Sequence, residues 1–330
     1  MQHLNKFISI GALVAAFASA PAYAQAEKFT IAGGGGAKNG STYSAMLGDL
    51  AGVCSTDELP LEEVNTNGGV KNLELLKANK VKAALVPTSV LAAAKLENST
   101  SVANIKTLFA LHPEEVHLVA RADTKFEGGV TMFGKNVGGD KVAYNQAEDL
   151  KGRTVGAVGG SVVDARILGS MLHLGYNVTP FDDNAKLFDA LTKGQLDAAV
   201  IVAGAPSTVV EKLPNGRFKF LPIRPNQELA SVYNPTKVQY QNVSEGKAVD
   251  TISTQALLVS RTFRSPEMLT SLAKLRACFV ASVPKLQDKD GSHPKWQDVD
   301  PTNRGKWDWY DLPTVASNTP PVVNAPARKK

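Results

Sequence analysis

Phe29-Thr30-Ile31-Ala32-Gly33-Gly34-Gly35-Gly36-Ala37-Lys38-Asn39-Gly40-Ser41-Thr42-Tyr43 runs from a short strand-like segment through a glycine-rich turn to a hydroxyl pair. A helix pattern follows over Thr42 to Val53. The same order returns about 120 residues later, where Thr154-Val155-Gly156-Ala157-Val158-Gly159-Gly160-Ser161 leads into a helix over Val163 to Leu174. Strand, glycine turn, hydroxyl, helix is the opening of a βα unit, and its recurrence predicts two α/β halves. Amides at a helix N-terminus, with the helix dipole, suit a carboxylate or phosphate. Two such starts facing one cleft would hold one anion from both sides.

The neighbouring segments extend both units. Leu61 to Val64 reads as a strand, Asn65-Thr66-Asn67-Gly68-Gly69 as a turn and Leu73 to Ala78 as a helix. Ala83 to Val86 is a strand, and Pro87-Thr88-Ser89 leads into a helix over Val90 to Leu96. Leu108 to Ala120 carries one or two strands. Residues 124 to 148 break the rhythm with five glycines and few apolar residues, as a loop or hairpin excursion does. After the repeat come a helix (Ala185 to Thr192), a strand (Asp197 to Val202), a helix (Pro206 to Leu213) and a strand (Ile252 to Val259). A helix beginning at Pro266 runs to Val280. From Ser292 the chain is rich in Pro, Asn and Trp, and Ser317 to Lys330 reads as a flexible tail.

The reading is therefore α/β, two-lobed, each lobe a mainly parallel sheet flanked by helices and joined by a hinge. Lobe one spans 25–121 and 251–330, and lobe two spans 122–250. Val116 to Arg121 and Thr251 to Val259 are the expected crossovers. Clefts between such domains, at the carboxyl ends of parallel strands, are favoured ligand sites.

Composition sets the class. With 330 residues, 43% hydrophobic and 20% charged, the chain can bury a sizeable core, which excludes a disordered or disulfide-dense protein. Residues 1–24 read as a secretory leader: Lys6, then an apolar stretch from Phe7 to Ala20, then Ala22-Tyr23-Ala24 as the cleavage signal. That stretch is shorter than the roughly 20 residues a spanning helix needs. The expectation is an exported, periplasmic protein cut after Ala24, with no membrane span of its own. A net charge of +5, without a dense basic stripe, gives no nucleic-acid signature.

Enzyme and cofactor motifs are missing. Gly35 to Thr42 has the GxxxxG frame, but Ser41 stands where a P-loop needs Lys, and Asn39 breaks GxGxxG. His112 and His117 do not form HExxH, so neither a metal nor a catalytic residue is assigned, and no cofactor. Cys54 and Cys278 are the two cysteines, and an exported chain with two cysteines is expected to pair them.

The ordered blocks resemble the TAXI-type solute receptors of TRAP transporters, within the type-2 periplasmic binding-protein fold. They are Gly40-Ser41-Thr42-Tyr43, then Thr66 to Leu73, Leu108 to Val119 and Asp149 to Val155. Gly159-Gly160-Ser161 and Leu191 to Ala198, ending at Gly204-Ala205-Pro206, complete the set. The resemblance implies a receptor that captures a small anionic ligand, an organic-acid or amino-acid carboxylate, and delivers it to the membrane subunits of a transporter. It implies ligand contacts around Gly40, Ser41, Thr42, Tyr43, Gly68, Gly69, Thr88, Ser89, Gly159, Gly160 and Ser161. Ser161 is followed by Val162-Val163 where the family often reads Gly-Thr, and Ser89 stands where it often has Asp. The excursion from Lys125 to Ala147 and the end bearing Trp296, Trp307 and Trp309 are also departures. Alternatives are a binding protein serving an ABC importer or a sensor kinase, or an enzyme such as a dehydratase on the same two-lobed fold.

Overall fold

The computed structural model describes residues 27–35, 41–127, 130–132, 135–137 and 141–314. The leader with its cut after Ala24, Gly40 and the tail 317–330 lie outside the described residues.

The chain begins β1 (Phe29–Ala32), α1 (Thr42–Cys54), β2 (Leu61–Val64), α2 (Gly69–Lys77), β3 (Ala83–Pro87) and α3 (Thr88–Glu97). The long β4 (Ile105–Arg121) follows, then four short strands: β5 (Lys125–Glu127), β6 (Val130–Met132), β7 (Lys135–Val137) and β8 (Lys141–Ala143). Next come β9 (Thr154–Val158), α4 (Ser161–Met171), β10 (Asn177–Phe181), α5 (Asn184–Thr192), β11 (Ala198–Ala203) and α6 (Thr208–Glu211). The chain closes with β12 (Phe218–Phe220), α7 (Gln227–Ala230), β13 (Asn234–Val238), α8 (Gln241–Ser244), β14 (Val249–Arg261) and α9 (Pro266–Asp288).

Ten strands form one sheet in the order β10-β9-β11-β4-β14-β3-β1-β2, with β12 added to β4 and β13 to β14. β1 is parallel to β2 and β3, and β9 is parallel to β10 and β11. Between these two parallel groups, β4 and β14 run antiparallel to their neighbours. The result is the two-lobed α/β architecture, with each parallel group as the sheet of one lobe.

β4 is a single strand that belongs to both. Its first part pairs with β14, Ile105 opposite Arg261 and Ala110 opposite Leu257. Its second part pairs with β11, Glu115 opposite Ala203 and Ala120 opposite Ala198. β14 stays beside β4 as far as Glu115, opposite Ser253, and carries a register shift between Gln255 and Leu257. There the Gln255 side chain donates to Leu111 O at 2.5 Å, and Thr88 Oγ1 donates to Gln255 O at 3.2 Å. Buried side chains thus replace the ladder bonds that the shift removes.

In the first half, α1 and α9 cover one face of the sheet, burying Leu50, Leu85, Leu108, Phe109, Leu258 and Phe279. Phe109 and Phe279 stack with ring centres 3.7 Å apart. Cys54 and Cys278 form a disulfide between these two helices, Cα to Cα 5.8 Å. The opposite face is packed by Leu73, Leu76 and Leu91 from α2 and α3. The second half has two comparable layers, one around Leu168, Val200 and Tyr233, the other around Leu187, Val119 and Phe220. Each fully buried Leu or Phe contributes about 1.5–3 kcal/mol, so both halves have a core of their own.

Several elements extend beyond their sequence reading. α9 continues past Val280 and through Pro284, because Val283 and Leu286 still face the core and packing outweighs the lost backbone bond. β10 and β13 escape the periodicity because each is short and contains a proline, Pro180 or Pro235. The 125–147 excursion contains two small antiparallel pairs, β5 with β8 and β6 with β7. The tryptophan-rich end packs on the first half. Trp296 is buried and donates to Asp49 Oδ2 at 2.9 Å, while Trp307 Nε1 donates to Ile105 O at 2.9 Å. Among the described residues, no helix is long and apolar enough to cross a membrane.

Candidate functional site

A cavity of about 320 Å3 lies between the halves, and the first residue of four helices lines it: Thr42 of α1, Gly69 of α2, Ser161 of α4 and Asn184 of α5. Two of these helices come from each half of the sheet. Local chemistry fixes each start. Ser41 caps α1, its Oγ accepting from Ser44 N at 3.3 Å. Gly68 precedes α2 with φ of +101°, a conformation that only glycine adopts without strain. A Cβ on Gly69 would sit 2.3 Å from Pro87 Cδ, so glycine lets α2 close on the end of β3. Asn72 anchors that arrangement, donating to Gly33 O and Leu85 O, each at 2.7 Å.

In α4 the hydroxyl has a different job from capping. Ser161 is the first helical residue, and its Oγ accepts from Val202 N at 3.0 Å, pinning α4 to β11. Asp183 caps α5 through Lys186 N at 2.8 Å, leaving Asn184 at the cavity.

Two carboxyl groups share the same cavity: the half-buried Glu114, where β4 passes from β14 to β11, and the buried Asp164, in the first turn of α4. Tyr43 OH donates to Glu114 Oε2 at 3.0 Å, and Tyr233 OH donates to Asp164 Oδ1 at 2.8 Å. Burial pushes Glu114 up to about 8, against the Tyr43 hydroxyl, with Asp164 adding to the rise. Asp164 is pushed up to about 6, again by burial, while the hydroxyls of Ser89 and Tyr233 hold it down. At neutral pH Glu114 is thus largely protonated and Asp164 largely ionised. The next residue, Glu115, accepts from Ala205 N at 2.6 Å.

Of the residues singled out from sequence, Ser41, Thr42, Tyr43, Gly68, Gly69, Gly160 and Ser161 line this one cavity. Gly40 is outside the described residues. Gly159 turns the chain with φ of +55° and does not line the cavity, although its neighbours Val158 and Gly160 do. Thr88 and Ser89 open α3 inside the protein, where Thr88 binds the Gln255 carbonyl and Ser89 N donates to Thr254 Oγ1 at 3.0 Å. Glu114, Asp164 and Asn184 were not singled out from sequence. His112 and His117 are core residues that burial lowers to about 3 and about 4, and His117 bridges Ile201 O and Tyr240 OH. No cluster of His, Cys, Asp and Glu able to hold a metal occurs among the described residues.

The NMT1-like family matches residues 34–277, and the chain belongs to that family. Solved structures with a similar fold include an ancestral arginine-binding protein bound to arginine, 14% identical over 82% of this chain and 96% of that one, TM-score 0.44. The substrate-binding protein of an amino acid ABC transporter is 10% identical, covering 82% and 99%, TM-score 0.45. The ligand-binding component of an ABC-type import system from Staphylococcus aureus, with zinc bound, is 16% identical, covering 87% and 86%, TM-score 0.43.

Proposed function

We propose that this member of the NMT1-like family is an exported solute-binding receptor that closes two lobes on a small amino-acid carboxylate and delivers it to a TRAP-type membrane transporter. The observation carrying the reading is the cavity wall itself: four helix starts and two carboxyl groups around about 320 Å3. The helix starts supply the positive end for a carboxylate. Glu114 and Asp164 supply the negative end for an ammonium group. A dicarboxylate without an amine would satisfy the first and be repelled by the second.

The chain's own residues then divide the work. Opening amides and the Thr42 hydroxyl hold the ligand carboxylate, Tyr43 keeps Glu114 in place, and Asp164 meets the ammonium. A cation arriving beside Glu114 favours its ionised form, so binding releases a proton. The lobes, 25–121 with 251–330 and 122–250, rotate about β4 and β14 and exclude water from the cavity. The TRAP coupling is supported by the ordered sequence blocks.

The test is a calorimetric panel of amino acids, each beside its deaminated analogue. The amino acid should bind at least tenfold more tightly than the analogue of equal size. Equal affinity for the two would remove the acids from recognition. TRAP subunits, ABC subunits or a histidine kinase encoded beside the gene decide the coupling.

A further inference from the structure

A second, larger cavity of about 680 Å3 opens where α3, the end of α4 and the segment 306–308 meet. Its body is apolar, with Ala92, Leu96, Val102, Met171, Val232 and Trp307 on the walls. Leu96 is 73% exposed at its rim, a large apolar group with nothing laid over it. Such surface is costly to keep in water and marks binding sites when a polar group lies beside it.

Two ammonium groups stand in this apolar setting. Lys95 Nζ lies 5.7 Å from the centre of the Trp307 ring. Lys306 Nζ donates to Ala230 O at 2.7 Å and to Tyr233 O at 2.6 Å. An ammonium has three donors, so Lys306 retains one. Neither lysine forms an ion pair among the described residues. The third charged group of the lining, Asp308, pairs with Lys106 at 2.7 Å and also feels the charge of Lys95, which leaves two lysines and Lys106 against one carboxylate. The local balance is therefore positive, beside a wide apolar wall.

We infer that this crevice is a second binding site, for an amphipathic monoanion with an aliphatic or aryl body and a carboxylate head. The body covers Leu96, Val102, Met171 and Trp307, and the head takes Lys95 and the remaining donor of Lys306. The site is independent of the cleft ligand and of its identity. Its walls come from both halves of the sheet, so its occupant bridges them.

Octanoate is the probe, measured by calorimetry on the full chain, with 1-octanol as the uncharged control. Octanoate should bind saturably with one site per chain. Lys95→Glu, a substitution on an exposed side chain, should weaken octanoate at least tenfold and leave octanol within threefold. Ala92→Trp, which fills the apolar wall, should weaken both, and its melting curve shows whether the fold is intact. Unsaturable octanoate binding would overturn the proposal. So would equal octanoate affinity in the wild type and Lys95→Glu, or an octanoate affinity unmoved in a folded Ala92→Trp protein.

Discussion

The Tyr43 hydroxyl reaches Glu114 at 3.0 Å, joining the first turn of α1 to the point where β4 passes from one half of the sheet to the other. The contact ties a helix start on the cavity wall to the strand that the two halves share. Tyr43 is itself buried, and burial with the neighbouring Glu114 carboxyl raises its hydroxyl well above the ordinary value, so it acts as a donor at every physiological pH.

Glu114→Gln keeps the side-chain shape and an acceptor for Tyr43 while removing the charge. Affinity for the best amino acid of the calorimetric panel should fall at least tenfold, about 1.4 kcal/mol or more. The proton released on binding, measured in buffers of different ionisation heat, should also be lost. A folded variant with wild-type affinity would exclude Glu114 from ligand recognition.

The stability of the ligand-free protein should fall between pH 6.5 and 8. A carboxyl raised to about 8 in the folded state binds a proton that the unfolded chain, titrating near 4.5, has already lost. Its contribution is complete below 4.5 and disappears as pH rises to 8. Asp164 does the same only up to about 6, while the lowered His112 and His117 add stability as pH rises to their unfolded value of 6.5. Above 6.5 Glu114 dominates among these four groups, with a slope of up to about 1.4 kcal/mol per pH unit. Melting curves of the wild type should show the slope, and those of Glu114→Gln should be flatter.

Gly160→Asp tests whether α4 faces the ligand carboxylate. An added Cβ there meets nothing within 4 Å, and the backbone is in the ordinary right-handed helical region. Stability should therefore change by no more than about 0.5 kcal/mol. A negative charge beside a bound carboxylate should cost at least tenfold in affinity. Unchanged calorimetric affinity with an unchanged melting curve would place the carboxylate elsewhere in the cleft.

Replacing Cys54 and Cys278 together by Ser should lower stability by about 2–5 kcal/mol, since the bridge closes a loop across 224 positions. Cys54 ends α1 and Thr42 begins it, about 18 Å away by helix rise. Ligand affinity in the folded double variant should stay within threefold, and denaturant titration with calorimetry separates the two effects.

The starts of α1 and α4 were legible because glycine and serine punctuate them in the same order after a strand, and that of α2 by its glycine pair. The start of α5, opened by Asp183 and Asn184, carries no such signal. Their chemistry was less so. Ser161 reads as a cap, but the nearby Val202 amide claims its hydroxyl, a contact 41 positions away. The acids were hidden for a different reason. Glu114-Glu115 looks like the exposed edge of a strand, and Asp164 like the wet side of a helix. Tyr233 covers Asp164, and Tyr43 and the Ala205 amide meet Glu114 and Glu115, all from distant parts of the chain. Thr88 and Ser89 show the converse, a turn signal that the register shift in β14 draws into the interior.

The partner exchange along β4 also governs the order in which the chain can be completed. Residues 29–111 cannot finish their own sheet until β14 returns beside β3, and their core stays open until α9 arrives from beyond residue 265. A chain emerging from its N-terminus therefore presents the first half as an unfinished surface for most of its synthesis. Such distant pairings make folding slow compared with a chain of the same length built from neighbours. Cutting the polypeptide near residue 121 would leave two fragments, each lacking strands that the other holds, rather than two working domains.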